Sequence, residues 1–110
     1  MLIFTLKKEW YEKIKSGEKT VEYREVKDYW TKRLISIFGV HGELYCPIEI
    51  DVGCFLCKLR LGYTKEYLTA WLTKIEIVDG INTDLKIDKK VYAIHFRLEE
   101  LKTELFPGGK

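Results

Sequence analysis

The residues best suited to chemistry fall in one short run, Gly17-Glu18-Lys19-Thr20-Val21-Glu22-Tyr23-Arg24. On an extended strand side chains alternate, so Thr20, Glu22 and Arg24 share one face while Lys19, Val21 and Tyr23 take the other. A carboxylate followed by a guanidinium on one face can line a polar cleft. The planar fork of Arg24 suits a phosphate or a base edge. Glu22 can orient Arg24, accept from an amino group or act as a general base; in an enzyme, Glu22 and Lys19 would be the catalytic pair. The plainer alternative is a half-exposed strand on which Glu22 and Arg24 pair at the surface, worth under about 1 kcal/mol.

Other groups compete for a role. His41, Cys46, Cys54 and Cys57 are donors that zinc accepts, and Cys54-x-x-Cys57 has a familiar spacing. There is no second close pair, however, and residues three apart on a strand point to opposite faces. The expectation is therefore no metal and no cofactor, with the cysteines as small buried apolar groups or surface thiols. His95, between Ile94 and Phe96, reads as a structural histidine with no acid partner in sight. Trp10 and Trp71 occupy apolar-patterned positions and are assigned to the core, while Trp30 divides between core and cleft wall.

The elements that must position these groups can be traced from periodicity. Leu2 to Leu6 reads as a strand, after which Thr5 can cap a helix running to about Ser16 with Trp10, Tyr11 and Ile14 on one face. Gly17 sits where such a helix ends in a left-handed turn. Lys19 to Arg24 is a strand, and Asp28 starts a second helix carrying Tyr29, Trp30, Arg33 and Leu34. The pattern fails from Ser36 to Asp51, which reads as a long loop with a short strand near Tyr45. Cys54 to Leu61, Tyr67 to Val78 and Val91 to Leu98 read as strands, with turns at Gly62-Tyr63-Thr64-Lys65 and Gly80-Ile81-Asn82 and a closing helical turn over Leu98 to Leu105. About five strands, mostly consecutive in the second half, with two or three helices, indicate an α+β fold built on a small curled or barrel-like sheet.

With 110 residues and 13.0 kDa the expectation is one domain over residues 1–110. The net charge of +2 excludes wholesale coating of a polyanion, so a basic site has to be local. Residues 7–33 hold nine basic and six acidic side chains, and residues 58–74 hold four basic and one acidic. These segments form one basic face only if the fold brings them together. No apolar stretch approaches the roughly 20 residues of a membrane helix. The start of the chain turns polar too early for a signal peptide, and three cysteines argue against a disulfide framework, so a cytoplasmic setting is expected.

Leu6-Lys7, Trp10, Ile14 and then Gly17-x-Lys19-x-x-Glu22-x-Arg24 together resemble the ASCH domain, a branch of the PUA-like superfamily. The continuation through Tyr29-Trp30-x-Lys32-Arg33-Leu34 is similar to the small ASCH proteins of bacteria and their phages. Arg60-x-Gly62-Tyr63 and the Tyr92 to Leu98 strand fit the same pattern; the resemblance does not extend over residues 36–52. It implies a small, mostly antiparallel β-barrel flanked by helices, with a cleft at the Lys, Glu and Arg positions and an association with RNA. One enzyme branch of the family is a ribonuclease and another hydrolyses N4-acetylcytidine. The latter places a nucleophilic threonine where this chain has Glu22, and a carboxylate attacking an amide would give an anhydride rather than an ester.

The reading that follows is an RNA- or nucleotide-binding domain whose basic cleft is lined by Lys19, Glu22 and Arg24, with Arg33, Arg60 and Tyr63 as further ligand-binding residues. Lys19, Arg24, Arg33 and Arg60 would meet phosphate, and exposed aromatics such as Tyr63 would stack on bases. The alternatives are a hydrolase of RNA or of a modified nucleoside, using Lys19 and Glu22, and a protein-interaction module.

Overall fold

Alternating apolar residues set the strands, and the structure, a computed structural model, describes residues 2–99. In chain order the elements are β1 (Leu2–Leu6), α1 (Lys8–Lys15), β2 (Val21–Glu25), α2 (Asp28–Phe38), β3 (Ile48–Glu49), β4 (Leu56–Leu61), β5 (Tyr67–Asp79) and β6 (Lys90–Leu98), with one 3-10 turn at Gly80–Asn82. The fold is α+β: a curled, half-barrel mixed sheet with two helices. The strand order is β1-β4-β5-β6-β2, with β3 added to the free stretch of β5. Every pairing is antiparallel except β1 with β4.

β1 shows how the pattern becomes packing. Leu2, Phe4 and Leu6 are buried, while Ile3 and Thr5 face outward. On β4 the buried residues are Cys57 and Leu59. The parallel register sets Ile3 against Lys58 and Thr5 against Arg60 on the outer face. β5 begins with Ala70 and Leu72 turned inward, but strict alternation would then put Lys74 in the core. A bulge between Leu72 and Lys74 shifts the phase, so that Ile75 packs inward opposite Ile94 and Lys74 stays outside. Tyr92, Ile94 and Phe96 of β6 complete the inner face, on which Tyr11 and Ile14 of α1 and Leu34 of α2 are buried.

Local chemistry ties the helices down. The Tyr11 hydroxyl donates to Glu66 Oε2 at 3.1 Å, joining α1 to the β4–β5 turn. Burial and that carboxylate push the phenol up to about 12. Thr31 and Tyr92 share a hydroxyl hydrogen bond of 2.6 Å between α2 and β6. The Trp30 ring stacks on Phe4 at 4.9 Å and 15°.

Several expectations need correcting. Thr5 does not cap α1: it lies inside β1, and the capping position falls to Lys7, whose side chain makes no cap bond. α2 continues through Ser36 to Phe38, because Leu34, Ile35 and Phe38 keep an apolar stripe past the point where the charges stop. The short strand of the middle region is β3, not a strand at Tyr45; an isolated bridge joins Val40 and Glu43. Cys54 precedes β4 rather than starting it. Neither Trp10 nor Trp71 belongs to the buried core, since each is only half-buried. Leu98 ends β6 instead of opening a helical turn, the Glu99 amide bonds to the Thr69 carbonyl, and residues 100–105 of that expected turn, like 100–110 as a whole, fall outside the described residues. No helix among them is long and apolar enough to cross a membrane.

Candidate functional site

The two ends of the half-barrel, β1 and β2, do not hydrogen-bond to each other, and side chains close the gap between them. Arg24 on β2 reaches across and donates from Nη2 to the Thr5 carbonyl oxygen on β1 at 3.0 Å. The same Nη2 donates to Glu22 Oε2 at 2.6 Å. The guanidinium carbon stands 5.5 Å from the Phe4 ring centroid and 5.3 Å from that of Trp30, in the range of cation–π attraction. Arg24 Nε is buried without a hydrogen-bond partner among the described residues. An N–H left unmatched in this way is costly unless something else accepts from it.

Lys19 comes to the same place by a different route. α1 ends at Lys15, Ser16 caps it, and Gly17 takes φ +85°, a left-handed conformation that L-residues adopt only with strain. The Lys19 amide then bonds back to the Lys13 carbonyl at 3.1 Å. Lys19 therefore precedes β2, whose first residue is Val21, and strand alternation does not govern it. Its ammonium lies 3.8 Å from Glu22 Oε1 and bonds to Asp84. The rings of Trp10 and Tyr23 stand 5.3 and 5.0 Å away. Thr20, expected to share a face with Glu22, is exposed and lies outside this cleft.

Asp84 arrives from a loop that sequence reasoning left aside. Gly80 packs so closely that an added Cβ would meet the Lys89 and Ile87 carbonyls at 2.7 and 2.8 Å. Buried Thr83 then folds the loop by donating from Oγ1 to the Gly80 carbonyl and accepting from the Leu85 amide. This turn holds Asp84 against Lys19 and Leu85 at the cleft wall.

The result is a cleft of about 320 Å³ with Trp10, Tyr23 and Trp30 as aromatic walls and the Lys19–Glu22–Arg24 group at its polar side. Glu22 is only 8% exposed, so the reading of Glu22 and Arg24 as a surface pair does not hold. Burial raises the Glu22 carboxyl above its ordinary 4.5, outweighing the downward pull of Arg24 and Lys19. The cleft is lined by four cationic side chains (Lys7, Lys19, Arg24, Lys27) and three carboxylates (Glu22, Glu25, Asp84), an excess of one positive charge.

The remaining nominated residues gather elsewhere. Arg33 and Arg60 border a second cavity of about 500 Å³ between α2 and the outer side of β1. Thr5 lines both cavities: its carbonyl accepts from Arg24, and its hydroxyl accepts from Arg60 Nη2 at 3.0 Å. Tyr63, on the β4–β5 turn, is 91% exposed, with its ring 5.5 Å from the Arg60 guanidinium. The two basic segments thus meet at Arg60. Lys58 instead lies over Tyr67, and Lys74 pairs with Glu49 and Glu76.

His95 does have an acid partner. Its Nε2 is 2.7 Å from Glu76 Oε2 across the β5–β6 pair, a contact between strands that proximity in sequence could not reveal. Cys57 is in the core, where burial pushes its thiol up to about 12; Cys46 is half-buried and Cys54 exposed. Among the described residues no three His, Cys, Asp or Glu side chains are gathered to hold a metal ion. Trp10, Thr5 and Asp84 are the site residues that the sequence reading missed. No known family model matches the chain, and no curated protein matches it.

Proposed function

We propose that this chain is an ASCH-type, PUA-like domain that binds RNA or a nucleotide-like ligand in the cleft of Lys19, Glu22 and Arg24. One observation carries the reading. Arg24 and Glu22 form a largely buried pair beneath aromatic walls, and Arg24 keeps a buried Nε–H with no acceptor among the described residues. A buried ion pair is rarely favoured for stability alone over apolar packing, so its retention at an open cleft points to a ligand. The chemistry suits a planar, polar ring: Trp10, Tyr23 and Trp30 offer faces for stacking, and Glu22 with Arg24 offers an acceptor and a donor for a base edge. Because Glu22 and Asp84 already match the charge of Lys19, its role is to fix Glu22 and the rim rather than to grip a phosphate.

The test is an incubation with labelled single-stranded RNA, scored for retention and for cleavage over a range of salt. Lys19→Ala and Arg24→Ala run alongside, their folding checked by thermal melting. Salt-sensitive binding that both substitutions weaken is the expected result. Intact, unretained RNA at low salt would overturn the proposal for RNA and favour a protein-docking module instead.

A catalytic second reading has one observation in its favour. A carboxyl raised by burial, facing a cleft beside a lysine, is a suitable general acid or base. It would act on RNA or on a modified nucleoside without the hydroxyl nucleophile whose place Glu22 takes. Product formation abolished by Glu22→Gln, with binding retained, would decide for it.

A further inference from the structure

The second cavity differs from the cleft in one respect that bears on the ligand. Its lining includes two guanidinium groups, Arg33 and Arg60, and no carboxylate. Neither arginine makes an ion pair among the described residues. Arg33 lies over the Tyr29 ring at 3.6 Å and donates from Nη1 to the Tyr29 carbonyl at 3.1 Å, and its other N–H groups have no hydrogen-bond partner among the described residues. Arg60 spends one N–H on the Thr5 hydroxyl, while its Nε is buried without a partner. Two unneutralised, aromatic-backed guanidinia around a cavity of about 500 Å³ form a receptor for a compact anion, and paired planar forks match phosphate oxygens.

The position of the cavity says what carries the anion. Arg24 and Arg60 each hold an oxygen of Thr5 at 3.0 Å, so covalent dimensions keep their two Nη2 atoms within about 11 Å of each other. We infer that the Arg33–Arg60 cavity is a phosphate subsite contiguous with the cleft, taking the phosphate of a nucleotide whose base enters beside Glu22 and Arg24. The inference deepens the proposed function and rests on it for the base. The phosphate chemistry stands on Arg33 and Arg60 alone. The ligand is then a phosphorylated nucleotide or a nucleotide within a strand, not a free nucleoside.

Calorimetric titration with the four ribonucleosides, their 5′- and 3′-monophosphates and inorganic pyrophosphate tests this, using the whole chain and an Arg33→Gln variant. Arg33 is exposed, so the substitution leaves the core untouched. At low salt a monophosphate should bind at least about tenfold tighter than its parent nucleoside, and Arg33→Gln should remove that gain while leaving nucleoside affinity unchanged. Equal affinity for nucleoside and monophosphate would overturn the subsite and leave the cleft reading standing. Pyrophosphate binding lost in Arg33→Gln, with no nucleoside or nucleotide preference, would uphold an anion site for free phosphates and overturn the cleft reading. Arg33→Gln binding every phosphate as the natural chain does would overturn the subsite outright.

Discussion

The cleft and the second cavity share one threonine, yet they handle charge in opposite ways. In the cleft each cation nearest the centre has a carboxylate: Arg24 has Glu22, and Lys19 has Glu22 and Asp84. In the second cavity Arg33 and Arg60 have rings and a carbonyl or hydroxyl, and no acid among the described residues. The first arrangement fixes donors and acceptors for a neutral polar ring, and the second holds field for an anion. Structural cost follows the same division. Removing one partner of a buried pair strands the other, whereas removing an unpaired surface cation relieves repulsion or does nothing.

That contrast can be broken most forcefully at Arg24. Arg24→Ala leaves Glu22 buried without its main partner, frees the Thr5 carbonyl and removes the guanidinium packed beside the Phe4 and Trp30 rings. A loss of about 3 kcal/mol or more in urea unfolding is expected. Arg33→Gln, by comparison, should move stability by no more than about 0.5 kcal/mol. Its effect belongs to RNA binding, where the slope of log affinity against log salt should become shallower by about 0.7 for one lost phosphate contact. If Arg33→Gln destabilised the fold as much as Arg24→Ala, the division between the two regions would be wrong.

Much of this was legible in the sequence, and the gaps have physical causes. Periodicity places strands from Leu2, Cys54, Tyr67 and Val91, within two residues of where β1, β4, β5 and β6 begin, and both helices, because alternation and the helical stripe are local properties. Register is not local. The parallel pairing of Thr5 with Arg60, 55 residues apart, turned an expected helix cap into the hinge between two cavities. Lys19 joined Glu22 because the strand begins two residues later than the sequence pattern indicates, a boundary shift that inverts any argument from alternation. Asp84 and the His95–Glu76 contact depend on where a loop and a neighbouring strand arrive, and residue types alone do not encode that.

Smaller effects sharpen the comparison further. With its carboxyl raised in the folded chain, Glu22 binds its proton more tightly there than in the unfolded chain. The stability it contributes is therefore whole below 4.5, falls as pH rises through the raised value and then levels. Urea midpoints collected from pH 4 to 8 should show that decline, and Glu22→Gln should flatten it. Nothing comparable is expected from Arg33→Gln. Gly17→Ala, which forces a side chain into the left-handed turn that delivers Lys19, should cost about 1 kcal/mol in thermal unfolding and weaken RNA binding along with it.

The most direct test of the central claim is to map ligand contacts residue by residue, following backbone and indole N–H signals by NMR while a short single-stranded RNA is added. The account predicts that shifts concentrate at the Trp10 and Trp30 indoles, at Thr5, along Lys19 to Arg24 and at Arg33 and Arg60, the last two staying unmoved when a nucleoside without phosphate is added instead. Shifts that spare these residues, or none at saturating RNA, would contradict it.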